Sequence, residues 1–105
     1  MNNEPRIPID KEKIVEFCKK HGIIEFALFG SVLRDDFGPE SDVDVMISLA
    51  TQKGFGLFKY GRLIYELRLL FNRDVDVVLR KEIEGSSNTI RKREVLSNYR
   101  TVYVA

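Results

Sequence analysis

Tryptophan is absent from this chain, and cysteine and histidine each occur once. One cysteine excludes an internal disulfide framework, and one histidine argues against a histidine-based metal site. No apolar run reaches membrane-spanning length, and no signal peptide is evident. Neither sign of charge is in excess, because 17 Lys+Arg against 16 Asp+Glu leave a net charge of +1. A general nucleic-acid binder would carry a clear basic surplus. Internal repeats, low-complexity segments and interdomain linkers are also missing. The expectation is a cytoplasmic protein without membrane or general nucleic-acid partners.

What is present is an ordinary globular composition, 44% hydrophobic and 31% charged over 105 residues. That length supports one modest core, so 1–105 is expected to be a single domain with 1–9 as a loose lead-in. The chemistry-bearing residues concentrate between Phe29 and Ile47. Ile23 to Phe29 is apolar and β-branched apart from Glu25, which predicts a largely buried strand. Gly30 then allows the backbone to approach a ligand closely. Ser31 adds a hydroxyl and an N–H where a short helical turn begins, and helix N-termini favour anions.

After a break at Phe37-Gly38-Pro39, the run Asp42-Val43-Asp44-Val45-Met46-Ile47 has strand composition. Alternation puts Asp42 and Asp44 on one face, about 7 Å apart along the strand. Paired carboxylates suit a hard divalent cation such as Mg²⁺, which keeps water or substrate phosphate as its other ligands. Alone, a Gly-Ser turn is commonplace and an Asp-x-Asp pair is commonly solvated. A Gly-Ser turn, a short interval and a carboxylate pair entering an apolar strand form a much more specific conjunction.

Gly30-Ser31, ten intervening residues and Asp42-Val43-Asp44 resemble the signature of the minimal nucleotidyltransferases of the DNA polymerase β superfamily. Arg34 falls where that family usually has an arginine after Gly-Ser, and Ser41-Asp42-Val43-Asp44 matches its Ser-Asp-hydrophobic-Asp step. The likeness runs from about Ile23 to the C-terminus. It implies an α/β (α+β) nucleotidyltransferase fold with a small mixed sheet flanked by helices. It also implies ATP as substrate, about two Mg²⁺ ions on Asp42, Asp44 and a third acid, and nucleotide contacts from Gly30, Ser31, Arg34 and Ser41.

The remaining elements are read in order. Asp10 is a good N-cap and Gly22 a stop for a helix over Lys11 to His21, with Ile14, Val15, Phe17 and Cys18 on one side. Cys18 reads as a packed thiol, and His21 as a last-turn residue favoured by the helix dipole. Ser48 to Gly56 is expected as a loop, with Gly54-Phe55-Gly56 marking flexibility rather than a dinucleotide fingerprint. Leu57, Tyr60, Leu63, Ile64, Leu67, Leu70 and Phe71 predict an amphipathic helix with that stripe in the core. In Asn72 to Leu79 a third strand carries Asp74 and Asp76 on one face, and periodicity alone leaves either as the third carboxylate. The resemblance favours Asp76, through Val75-Asp76-Val77-Val78. Arg80 to Asn88 is polar, with Gly85-Ser86-Ser87 expected as a loop and Asn88 as a cap, and Thr89 to Tyr99 is expected as a helix of poor apolar periodicity. Arg91-Lys92-Arg93 there reads as a solvated face, with a triphosphate or acidic partner as the sharper alternative. Thr101 to Val104 could add an edge strand.

Free-standing proteins of this size and motif resemble antitoxins paired with HEPN-type ribonuclease toxins. The resemblance implies transfer of AMP from ATP to a toxin tyrosine within a hetero-oligomer. Two alternatives remain open: a non-catalytic nucleotide-binding antitoxin acting by contact, and the catalytic subunit of an antibiotic nucleotidyltransferase.

Overall fold

The computed structural model describes residues 4–105. Helix α1 (Lys11–His21) starts where the Asp10 carboxylate accepts the Lys13 N–H at 3.3 Å. It ends at Gly22, whose φ of 69° is costly for any residue with a Cβ. The chain then runs through β1 (Ile23–Phe29), a 3-10 turn (Gly30–Leu33), β2 (Val43–Leu49), α2 (Leu57–Phe71) and β3 (Val75–Leu79). It closes with α3 (Arg80–Glu84), α4 (Thr89–Ser97) and β4 (Tyr99–Val104).

The four strands form one mixed sheet in the order β3-β2-β1-β4. Strand β1 pairs antiparallel with β2 and β4, whereas β2 pairs parallel with β3. The parallel pair requires a crossover, supplied by α2. Alternation along β2 sends Val43, Val45 and Ile47 to one face, where Ile14 and Phe17 of α1 and Leu63 and Leu67 of α2 complete the larger core. The opposite face is covered by a smaller cluster of Ala27, Phe29, Met46, Ile83 and Val95. Asp44 and Asp76 belong to this thinly covered side, so the acids stay reachable while the strands beneath them are buried.

Several elements differ from the sequence expectation. Arg80–Glu84, polar in sequence and given no helix there, forms a short helix because Ile83 anchors it in the smaller cluster at 5% exposure. The stretch 48–56 is shorter than expected, since β2 continues to Leu49. The last helix stops at Ser97, and β4 is longer than Thr101 to Val104. Asn88 caps that helix as expected, accepting the Arg91 N–H at 3.1 Å. Leu57 does not join the core stripe of α2; it is 87% exposed and lies with Phe58, Tyr65 and Leu69 on the outer surface. Of the lead-in, positions 1–3 lie outside the described residues. Ile7 and Ile9 pack against the larger core, and the Arg6 N–H donates to the Val32 carbonyl at 2.8 Å.

Candidate active site

Strand pairing assembles the acids. Phe29 is the Cα partner of Asp44, and Asp44 that of Asp76, so the end of β1 and the two carboxylates lie level across three adjacent strands. Gly30 leaves β1 at φ 76°. A Cβ built there would fall on Asp44 Oδ2 and lie 3.2 Å from Asp44 Cγ. Gly30 therefore meets two demands at once, a left-handed backbone and contact with a carboxylate. Ser31 follows in the 3-10 turn, its hydroxyl 3.5 Å from the Asp42 carbonyl, a distance too long for a firm hydrogen bond. Its side chain thus remains available at the cleft.

Asp42 occupies the position just before β2 and is exposed, whereas Asp44 is half-buried. Burial, then the negative charges of Asp76 and Asp42, push the Asp44 carboxyl up to about 6. Arg91 and Arg34 pull the other way. Like charges beside a partly desolvated carboxylate favour whatever adds positive charge, a proton or a cation. Among the described residues no three acids, histidines or cysteines form a ready-made metal cage. The donor set is nonetheless all carboxylate oxygen with open positions, which is what a Mg²⁺ ion shared with phosphate uses.

The other sequence candidates are placed as follows. Arg34 donates from Nε to Asp36 at 3.1 Å, and its backbone N–H reaches the Ser31 carbonyl at 2.9 Å. Ser41 accepts the Gly38 N–H on its hydroxyl at 3.0 Å, which ties it into the turn before β2. Asp74 forms a 2.9 Å ion pair with Arg68, leaving Asp76 as the β3 acid level with Asp44. His21 packs at a tilt against Phe17, with ring centroids 4.6 Å apart, and its Nε2 lies 3.1 Å from Glu66 Oε1.

Gly30, Ser31, Arg34 and Asp44 share a cleft of about 490 Å³ with Arg91, Glu94, Ser97 and Asn98 of α4 and its C-cap. That size falls in the range of small-molecule sites. The contribution of α4 escaped the sequence reading as a set. Of its lining residues, the sequence pattern marks only Arg91, as part of the Arg91-Lys92-Arg93 cluster that reads first as a solvated face. One signal was present: poor apolar periodicity leaves a helix free to present polar groups to a site. A larger depression of about 720 Å³ lies on the outside of α2, between Leu57, Phe58, Gly61 and Tyr65. It has no clustered carboxylates or hydroxyls suited to phosphate chemistry.

The sequence matches the family described as nucleotidyltransferase domain over residues 11–100. A candidate protein adenylyltransferase from Methanocaldococcus jannaschii is 34% identical over 68 residues, covering 65% of this chain and 71% of the relative. The fold also resembles a solved candidate minimal nucleotidyltransferase, with TM-score 0.63, 28% identity and 85% of each chain covered. A third resemblance, of fold, is to one chain of the solved complex of tri-AMPylated Shewanella oneidensis HEPN toxin with MNT antitoxin. There the TM-score is 0.60 at 20% identity, covering 90% of this chain and 70% of that one.

Proposed function

The chain belongs to the nucleotidyltransferase domain family, and from that premise we propose that it transfers AMP from ATP to a tyrosine of a HEPN-type toxin, acting as the toxin's antitoxin. The observation that carries this reading is Gly30 pressed against Asp44, with Asp42 and Asp76 charging the same point. The Gly30–Ser31 backbone and the Ser31 hydroxyl cradle the triphosphate tail. Arg34 and Arg91, whose charges act on Asp44 from the same cleft, offset the phosphate charge. Asp42, Asp44 and Asp76 hold Mg²⁺, which when bound neutralises phosphate charge and orients the α-phosphorus. Ser41 serves this arrangement by fixing the turn from which Asp42 projects.

The acceptor hydroxyl forms a new bond to the α-phosphorus as the bond to pyrophosphate breaks, and its proton passes to the Asp76 carboxylate. Most of the acceleration comes from positioning and charge neutralisation rather than covalent participation by the protein.

The test is intact-mass spectrometry of the protein with ATP, Mg²⁺ and its HEPN partner, beside the Asp42→Asn, Asp44→Asn double variant. AMP-sized gains on the partner, absent with the variant, are expected. A second reading is neutralisation by contact alone, favoured by the exposed strip of Leu57, Phe58, Tyr65 and Leu69. Under it the double variant would still silence the toxin, with no mass gain in either sample.

A further inference from the structure

Helix α2 carries a glycine that its own fold does not require. Gly61 has ordinary helical backbone, and a Cβ added there would meet nothing within 4 Å. Inside a helix glycine is less favourable than every residue but proline, and its usual benefit is to let another body come close. Around it the side of α2 turned away from the core is apolar. Leu57, Phe58, Tyr65 and Leu69 are 87, 96, 62 and 65% exposed.

Leu57, Gly61, Tyr65 and Leu69 recur at four-residue steps and so form one ridge along the helix. Reversing the chain direction about Leu63 maps this ridge onto itself, exchanging Leu57 with Leu69 and Gly61 with Tyr65. Two α2 helices packed antiparallel about a two-fold axis at that level would set each Tyr65 ring over the other copy's Gly61. Large then meets small, and leucine meets leucine. Phe58 comes level with the other copy's Arg68, whose guanidinium suits a ring face. The charges match as well. Arg62 and Glu66 lie on one flank of the ridge, 3.4 Å apart within the chain. Antiparallel pairing brings like flanks together, so Arg62 of each copy falls about 3 Å along the axis from the other's Glu66.

We propose that this face of α2 binds a second copy of the chain as an antiparallel helix pair. Its four exposed apolar side chains hold on the order of 600 Å² per copy, so a pair buries about 1,200 Å², the low end of specific interfaces. The dimer should therefore dissociate in the micromolar range. A net charge of +1 sets no strong repulsion against it. Helix α2 packs on the sheet face that carries Val43, Val45 and Val77, opposite Asp44 and Asp76, so both clefts of the dimer stay open. A HEPN-type partner docking on the same strip would have to displace the second copy.

Sedimentation velocity of the full chain, from low to high micromolar concentration, should show a reversible passage from monomer to dimer. Gly61→Gln puts a better helix former into open space, so its monomer should melt at a higher temperature than the parent's while its dimer weakens by about tenfold or more. Loss of folding cannot produce that combination. Register is read by mixing Leu57→Cys with Leu69→Cys chains under oxidising conditions, Cys18 being buried. Cross-links should join the two variants and form within neither alone, because like positions stand about 18 Å apart along the pair. The Asp42→Asn, Asp44→Asn double variant should dimerise as the parent does, which separates this test from that of nucleotide transfer. A chain that stays monomeric throughout would overturn the inference and leave the strip to a different partner. So would a dimer that Gly61→Gln leaves intact, or one that cross-links through Leu57→Cys alone.

Discussion

Gly30→Ala and Gly22→Ala make a matched pair that separates backbone strain from the contact with Asp44. Both glycines have positive φ, 76° and 69°. A left-handed conformation costs a residue with a Cβ about 1–2 kcal/mol, so both variants should lose at least that much stability. At Gly22 an added Cβ meets nothing within 4 Å, whereas at Gly30 it lands on the Asp44 carboxylate. Asp44 must then leave its rotamer, at a further cost of about 0.5–1.5 kcal/mol. Since about 1 kcal/mol moves the midpoint of a domain this size by about 4–8 °C, Gly22→Ala should melt on the order of 10 °C lower and Gly30→Ala lower still. The decisive readout is AMP-PNP affinity in Mg²⁺ by calorimetry. Gly22→Ala should bind as the parent does, while Gly30→Ala should bind at least tenfold more weakly because a carboxylate has been displaced. Equal affinities for the two variants would refute the claim that Gly30 is required by its contact with Asp44.

Three further outcomes follow from the same structure. The Asp44 carboxyl is raised to about 6 from 3.8, so the folded protein keeps a proton that the unfolded chain releases. Its contribution to stability is present below about pH 4, is lost as the pH rises through about 6, and stays lost above. Asp44→Asn should therefore be more stable than the parent at pH 7.5 without Mg²⁺, by roughly 1–2 kcal/mol after allowance for partial exposure, with no gain at pH 4; urea titrations at both values check this. Phe58 is 96% exposed, so Phe58→Asp should change stability by less than about 0.5 kcal/mol yet weaken a complex made through the outer face of α2, as size-exclusion chromatography with the proposed HEPN-type partner would report. Burial pushes the Cys18 thiol up to about 12, so a thiol reagent at pH 8 should react only as the protein unfolds, and fast labelling of native protein would contradict the packing.

The features legible in the sequence were those encoded by local chemistry. Asp10 and Gly22 bracket α1 because a short acceptor side chain and a residue without Cβ are what helix ends require. The strand at Ile23–Phe29 was readable because its apolar run ends at a glycine. What the sequence could not disclose depends on tertiary anchoring. Helix α3 hangs on one buried residue, Ile83, which carries no periodicity. The rotation of α4, and hence which charges turn towards Asp44, is set by Val95 against the sheet. In α2, apolar residues occur almost all round the helix, so the pattern could not say that Leu57 faces outward while Leu63 faces the core. Spacing alone puts Asp42 and Asp44 on one face but does not choose between Asp74 and Asp76, and the level alignment of Asp44 with Asp76 is a property of strand register.

Arg73 reaches back from just before β3 to the turn before β2. It donates to the Gly38 and Ser41 carbonyls at 3.1 and 2.8 Å while lying 4.5 Å above the Phe37 ring. The Val43 N–H, donating to the Asp74 carbonyl at 3.0 Å, fastens the same two segments one step further in. The starts of both acid-bearing strands are thereby joined before any ligand arrives. The entropy of holding Asp42 and Asp76 in relation to each other is spent during folding rather than during binding. Arg73, which touches none of the acids, then governs preorganisation: loosening it should leave the carboxylates intact while letting their separation fluctuate, so that ligands arrive at a broader ensemble and bind more weakly.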